Sequence, residues 1–282
     1  MDDEDRHDPE SARPGTARDR ELGREVRLLR SATGRRAVAV AESLGRSAGW
    51  LAKLEVGRRS ADARDVGALV GQLGADAATR DRIQRIVNEP RTGSFLRPND
   101  PAADSLTALA VHEDLAVAIS TYEPLIIPSL LQTEDYARAI SGDEQVARIR
   151  RERQERLLHH PRGPVVHFFV HEAAVHQMVG DPRVMTEQLL TLTMWHTDNV
   201  RVRLVPMRTN GGTLVRHGST LITLREPEPP VVVQETDTVT VFQDDPQAVA
   251  VHERKFRDLA ARALDVNNSA RVFARWADTY DR

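Results

Sequence analysis

The chain has 282 residues, a formal net charge of −3 at pH 7 and no cysteine. Its length predicts two domains, and the lack of cysteine excludes disulfides, zinc sites with thiolate ligands and cysteine nucleophiles. No segment approaches the roughly 18–20 apolar residues that cross a bilayer and the first residues lack the apolar core of a secretory signal, so composition predicts a soluble, cytoplasmic protein without membrane contact.

Charge is unevenly distributed along the chain. Residues 1–20 contain seven acidic residues and four arginines with almost no apolar residue, which predicts a disordered acidic tail. Residues 21–65 contain ten Arg or Lys and six Asp or Glu, a net charge of +4. A basic segment on an otherwise acidic chain is typical of a DNA-contacting domain joined to a domain that faces another partner.

Helical periodicity begins at Glu21, and Gly34 is predicted to end this first helix. Four more short helices follow, bounded by glycines and capping residues. They are predicted at residues 36–44, 47–55, 63–73 and 76–88. Together the five helices predict a compact all-α domain over residues 21–89.

Residues 90–103 are rich in turn-forming residues and are predicted to be a linker. The second domain is predicted over residues 104–282, with helices at 104–119, 133–140, 144–158, 186–195, 247–263 and 269–280. Alternating apolar residues predict strands at 163–170, 199–205, 219–224, 231–234 and 239–242. The predicted fold class is an all-α N-terminal helix-turn-helix domain followed by an α+β domain with a mostly antiparallel sheet.

The second and third helices carry the pattern of a helix-turn-helix. Ala41 supplies the small residue needed where two helices cross, and Gly45 tolerates the positive φ of the turn. Ser47 is a predicted N-cap, and Leu51 and Leu54 lie on the hidden side of the third helix. The opposite side would then face the major groove of double-stranded DNA.

The predicted DNA contacts lie on this outward side and among the basic residues around it. Ala48, Gly49, Trp50 and Lys53 are predicted to point outward, with the helix N-terminus aimed at the DNA. The full predicted set is Arg36, Arg46, Ser47, Ala48, Gly49, Trp50, Lys53, Arg58 and Arg59. Lys53, Arg58 and Arg59 either contact phosphate or are solvated surface. Trp50 either lies near DNA or packs on a neighbouring helix. Glu55 is predicted to form a structural ion pair within the helical bundle.

Residues 22–30 and 50–59 resemble the xenobiotic-response-element family of helix-turn-helix regulators. The resemblance covers about residues 22–75, with the small, glycine, capping, apolar and Glu-x-Gly positions in register. The family usually has Gln just inside the second helix, where this chain has Ala37 beside Arg36. One helix-turn-helix per chain and the two-fold symmetry of DNA sites also predict a homodimer.

Several downstream segments are similar to a large actinobacterial group of such regulators, whose C-terminal domain has no settled biochemical role. They comprise residues 122–137, with Ser129 in place of an expected glycine, and residues 151–154, 171–175, 188–189 and 199–206. This resemblance implies a transcriptional regulator that acts with a small acidic partner protein encoded nearby. The alternative is an antitoxin-type protein whose main role is to neutralise that partner, with DNA binding serving autoregulation.

No catalytic site, metal site or cofactor is predicted. His171, Glu172 and His176 approach a zinc-peptidase motif, but the two histidines are five residues apart and diverge by about 140° on a helix. The second domain is expected to bind a protein partner or a small effector, or to form a homodimer. The chain is therefore predicted to be a sequence-specific DNA-binding transcriptional regulator and not an enzyme.

Overall fold

The computed structural model describes residues 15–99, 102–158, 163–208 and 216–282. Its α-helices are α1 Ala17–Ala32, α2 Ala37–Ser43, α3 Ala48–Glu55, α4 Ala63–Gln72, α5 Ala77–Asn88, α6 Ala102–Glu113, α7 Glu134–Ser141, α8 Glu144–Leu158, α9 Glu172–His176, α10 Pro182–Met194, α11 Pro246–Arg262 and α12 Val266–Tyr280. Its strands are β1 Ser94–Pro98, β2 Ala116–Glu123, β3 Val165–His171, β4 His196–Thr197, β5 Val200–Val205, β6 Ser219–Leu224, β7 Val231–Glu235 and β8 Val239–Gln243.

Helices α1–α5 pack around one apolar core, and the five short helices predicted for this region are confirmed. Apolar residues recur three and four positions apart on each helix, so each helix turns one stripe inward. The fully buried members of the core include Leu22, Val26, Val40, Ala41, Leu51, Leu54, Leu69, Ile83 and Ile86.

The first helix begins earlier than its apolar pattern indicates. Thr16 caps α1: its side chain accepts a hydrogen bond from the Asp19 backbone N–H, and the Asp19 carboxylate accepts one from the Thr16 N–H. Residues 17–20 are buried, because they pack against the rest of the protein. The prediction of a disordered tail is therefore wrong for residues 15–20, and its remaining part, residues 1–14, lies outside the described residues.

The eight described strands form one sheet in the order β1-β8-β7-β6-β2-β3-β5-β4. Five pairings are antiparallel, but β2–β3 and β3–β5 are parallel. The sheet is therefore mixed, and the prediction of a mostly antiparallel sheet is corrected. Parallel neighbours need a long crossover connection, and the segments that contain α7–α8 and α9–α10 provide these crossovers.

Two further predictions are corrected at the start of this domain. The predicted linker over residues 90–103 contains β1, an edge strand whose Phe95 ring stacks on Phe242 of β8 at 4.9 Å between centroids. The predicted helix over residues 104–119 ends at Glu113, and the central strand β2 begins at Ala116. Its Val, Ile, Thr and Tyr side chains favour a strand, and pairing on both sides stabilises it.

Helices cover both faces of the sheet. On one face, side chains of α6, α7, α8, α10 and α12 join the main core. On the other face, Val249, Phe256 and Leu259 of α11 pack against Tyr122 and Phe169 of the sheet. None of the helices in the described residues combines the length and the apolar composition of a bilayer-spanning segment.

Buried ion pairs join the helical domain to the sheet. Arg97 of β1 donates to Glu21 of α1 at 2.7 Å and to Glu89, which follows α5, at 3.0 Å. Arg20 of α1 donates to Glu228, in the connection between β6 and β7, at 3.2 Å. Separating such a pair would leave an uncompensated buried charge. These contacts therefore fix the position of α1 on the sheet domain.

Candidate nucleic-acid interface

The connection between α2 and α3 has the geometry of a tight helix-turn-helix. Gly45 has φ +67°, a left-handed conformation that favours glycine. The Gly45 N–H donates to the Glu42 carbonyl, and the Arg46 N–H donates to the Ala41 carbonyl, each at 2.9 Å. These bonds satisfy the last carbonyls of α2 and redirect the chain into α3.

Helix α3 begins with the predicted cap. The Ser47 side chain accepts a hydrogen bond from the Trp50 backbone N–H at 3.1 Å. The N–H groups of Ala48 and Gly49 precede the first intrahelical donor, and Gly49 is exposed. Because helix N-termini attract anions, this end of α3 could accept a phosphate.

The exposed side of α3 has small side chains and one cation. Leu51 and Leu54 are fully buried, which confirms the predicted hidden side. Gly49 and Lys53 are exposed, and Ala48 is partly exposed. A helix surface with short side chains can approach base edges closely, and the lysine can reach a base or a phosphate.

Trp50 departs from the prediction that it points outward. Its side chain is only 7% exposed and belongs to the core of the helical domain. The reason is its spacing: Trp50 precedes Leu54 by four residues, so the two side chains share one side of α3. The Arg46 guanidinium lies 5.5 Å from the Trp50 ring centroid and covers the indole from the solvent side. The alternative of packing within the bundle therefore holds.

The predicted phosphate-binding cations differ in their surroundings. Arg36 is exposed at the N-cap of α2. Arg46 donates to both carboxylate oxygens of Asp65, at 2.8 and 2.9 Å, and this hydrogen bonding raises the pKa of Arg46. Arg58 donates to Glu228 of the sheet domain at 3.1 Å. Two of the predicted cations are thus shared with carboxylates of the same chain.

The remaining members of the predicted set lie close by in sequence on the surface. Lys53 is exposed, and Arg59 is partly exposed.

Glu55 accepts two hydrogen bonds from Arg30 of α1, one of them at 2.8 Å, which confirms the predicted structural ion pair. Glu55 therefore holds α3 against α1.

Sequence reasoning missed two residues on the exposed side of α3. Ala52 is exposed, and Val56 at the C-cap is 49% exposed. Their spacing supplied the signal, because Ala52 follows Ala48 by four residues and Val56 follows Ala52 by four. Both can offer apolar contact to a thymine methyl group.

The two histidines that approach a zinc motif have separate structural roles. His171 caps α9 by accepting from the Ala173 N–H at 3.2 Å. The His176 ring lies 4.1 Å from the Trp276 ring. Within the described ranges, no group of three or more His, Asp or Glu side chains is placed to hold a metal ion.

The turn, the capped third helix and its buried leucines define a helix-turn-helix protein. In agreement, a model of the helix-turn-helix domain matches residues 21–83. A second family model, described as a domain of unknown function (DUF5753), matches residues 106–275. Because this match spans more than half of the chain, the chain belongs to the DUF5753 family. A comparison with curated proteins found no match.

Proposed function

We propose that this chain is a sequence-specific transcriptional regulator that binds double-stranded DNA, and that it is not an enzyme. The observation that carries the proposal is the two-sided character of α3. Leu51 and Leu54 anchor the helix in the core, while Gly49, Ala52 and Lys53 remain on the solvent side. This arrangement matches that of a recognition helix that enters the major groove.

The surroundings of α3 support a division of tasks among the contacts. The capped N-terminus at Ser47–Gly49 and the cations Arg36, Arg46, Arg58 and Arg59 would hold phosphates, which position the protein without reading sequence. The Gly49, Ala52 and Lys53 side would read base edges. If about five phosphates are neutralised, log K should fall with log salt at a slope of about −4 to −5.

We further propose that the chain binds DNA as a homodimer. Each chain carries one described helix-turn-helix, and a two-fold pair of such domains would read two half-sites about 34–36 Å apart. Binding to a duplex that holds both half-sites should then be cooperative.

A small acidic partner protein encoded nearby is proposed from the sequence resemblance, either as a co-regulator or as the target of an antitoxin-type activity. Lys53→Glu separates the two roles without truncating the chain. If neutralisation is primary, this variant should still capture the partner and restore growth although it binds the operator at least tenfold more weakly. If DNA regulation is primary, restoration should fail together with operator binding.

The direct test is fluorescence anisotropy with the full chain and a duplex taken from the region upstream of its own gene. A scrambled duplex of the same composition is the control. We expect at least 100-fold tighter binding to the upstream duplex at physiological salt, within the range of specificity ratios for such regulators. Equal binding to both duplexes would contradict sequence-specific regulation.

A further inference from the structure

The first fourteen residues of the sequence are strongly acidic. Residues 1–14 contain six acidic residues and two arginines, so their side chains carry a net charge of −4 at pH 7. They contain no Leu, Ile, Val, Phe, Tyr or Trp, the side chains that most often bury a segment against an apolar core. Charge is therefore the property by which this segment can bind another surface.

The structure fixes the point at which this segment joins the helical domain. Gly15 is buried against Gly57, which directly follows the C-cap of α3, and a side chain at residue 15 would overlap the Gly57 carbonyl oxygen. The Gly15 carbonyl accepts from Arg20 of α1 at 2.6 Å, and the Ala17 N–H donates to Asp244 at 2.5 Å. The acidic segment therefore enters the domain beside the C-terminal end of the proposed recognition helix.

Lys53 lies about one helical turn before this point. The N–H of Arg58, the residue after Gly57, donates to the Lys53 carbonyl at 2.9 Å. Fully extended, fourteen residues span about 46 Å, whereas the eight residues of α3 rise only about 12 Å. The acidic segment is therefore long enough to reach every residue on the exposed side of α3.

The surface around α3 has an excess of positive charge. Residues 35–59 contain six Arg or Lys and two Glu. Glu55 is paired with α1, and Glu42 is exposed on α2, while two of the arginines share carboxylates of the same chain. Arg36 and Lys53 are exposed and have no ion-pair partner within 4.0 Å among the described residues. These two cations are available to an anionic occupant when no DNA is bound.

We propose that residues 1–14 bind the exposed side of α3 through their carboxylates, with Lys53 as the central contact, and compete there with DNA phosphates. Because the segment is covalently attached, its effective concentration at α3 is on the order of millimolar, as for other short tethers. A duplex must displace it, so weak association held by phosphates alone is opposed. The competition rests on the proposed DNA-binding function, whereas the contact between the segment and α3 does not.

Carbodiimide coupling tests the contact, because it joins a carboxylate and an amine that touch each other into an amide. Lys53 and Lys255 are the only lysines in the sequence, and Lys255 lies on α11 of the sheet domain. In the full chain without DNA, we expect Lys53 to couple to residues 1–14 at least tenfold more than Lys255 does. Peptide mass spectrometry of mixed unlabelled and isotope-labelled chains shows whether both partners belong to one chain. Lys53→Arg keeps the charge but should abolish the product.

A second experiment tests the competition with DNA in the full chain. The segment variant carries Asp2→Asn, Asp3→Asn, Glu4→Gln, Asp5→Asn, Asp8→Asn and Glu10→Gln. The control variant makes the same four Asp and two Glu changes on the exposed surface of the sheet domain, at Asp198, Asp258, Asp278, Asp281, Glu187 and Glu253. Anisotropy with the upstream duplex is measured at physiological salt, where charges more than about 8 Å apart are largely screened. The segment variant should bind at least fivefold more tightly, and the control should stay within twofold. Saturating duplex should also lower the coupling of Lys53 at least fivefold.

No coupling of Lys53 to residues 1–14, or coupling between chains only, would overturn the proposal. Equal duplex affinities of the two variants, or undiminished coupling in saturating duplex, would overturn the competition. If Lys53 coupled to the segment but the chain bound no duplex, the proposed DNA-binding function would fail and the contact would stand. If the chain bound the duplex without such coupling, the contact would fail and the DNA-binding function would stand.

Discussion

Arg46 stands at the start of the proposed recognition helix, where its guanidinium group is shared between two neighbours. It donates twice to Asp65 and lies against the Trp50 ring. A DNA phosphate approaching α3 must compete with the Asp65 carboxylate for this group. Exposed ion pairs of this kind contribute little to stability, so the exchange of partners is feasible.

Asp65→Asn should therefore tighten DNA binding by about threefold, because it frees Arg46 and removes a negative charge near the phosphates. Thermal unfolding should change little. The matched control is Asp81→Asn, which removes an exposed carboxylate of α5. Fluorescence anisotropy measures both variants, and an equal effect of the two would show that Asp65 does not restrain Arg46.

The residues of the candidate site were partly predictable one by one. Gly45, Ser47 and Leu51 depend on local rules for turns, caps and helix sides, and the structure places them as expected. The position of Trp50 was not predictable in this way, because its large amphipathic ring suits either a contact in the DNA groove or a place in the protein core. Its spacing from Leu54 was the better guide, and the structure follows the spacing.

At the scale of the element, α3 shows how strongly a short helix depends on its ends. It has eight residues, and its bounds Ala48–Glu55 agree with the predicted cap and end. Eight residues are too few for a stable isolated helix in water. The Ser47 cap and the buried Leu51 and Leu54 side chains must therefore stabilise it.

Ser47→Ala should lower the free energy of unfolding by about 1 kcal/mol, since the Trp50 N–H loses its side-chain acceptor. Ser47→Thr retains the hydroxyl and should keep most of the stability. Urea denaturation, followed by the fluorescence of the buried Trp50 and the other tryptophans, measures both variants. A Ser47→Ala protein as stable as the original chain would show that the cap does not stabilise α3.

Strands β1 and β2 mark the limit of prediction from local patterns. The segment that holds β1 is rich in turn formers, and β2 follows a helix after only two residues. Both become strands through partners far along the chain: β8 for β1, and β3 and β6 for β2. Strand propensity depends on such neighbours, so the parallel centre of the sheet could not be derived from nearby residues.

At the scale of the whole molecule, charged residues at the contact between the helical domain and the sheet domain hold the two domains together. Arg97, Glu21 and Glu89 meet there, although they are distant in sequence. His112 of α6 is fully buried, and neither of its ring nitrogens has a hydrogen-bond partner among the described residues. Burial, with the charges of Arg20 and Arg97, holds the pKa of His112 well below 6.5.

His112 predicts a loss of stability in mild acid. Its pKa is lower in the folded than in the unfolded chain, so the unfolded chain binds more protons once the pH falls below about 6.5. At pH 5.5 this difference should cost up to about 1.4 kcal/mol relative to pH 8.

His112→Leu should remove this part of the pH dependence and leave stability at pH 8 nearly unchanged, because the ring nitrogens lack partners. Urea denaturation at the two pH values measures the difference between the variant and the original chain. The same loss in acid for both proteins would assign it to other groups.

The contact between the two domains also bears on regulation, because Glu228 accepts hydrogen bonds from both Arg20 of α1 and Arg58, which follows α3. A movement of the connection between β6 and β7 would thus change the hydrogen bond to Arg58, at the end of the proposed recognition helix. The sheet domain and the surface around α3 are connected through specific charges as well as through the chain.

Reversing the charge on the exposed side of α3 tests most directly the central claim that α3 reads DNA. Anisotropy is measured for the full chain with Lys53→Glu, using the upstream duplex over a range of salt concentrations. The control is Arg271→Glu, which makes the same change of charge on the exposed surface of α12. Lys53→Glu should weaken binding at least tenfold and make the salt slope shallower by about 1 or more, while Arg271→Glu should stay within twofold. Unchanged affinity of a folded Lys53→Glu protein would contradict the assignment of α3 as the DNA-reading helix.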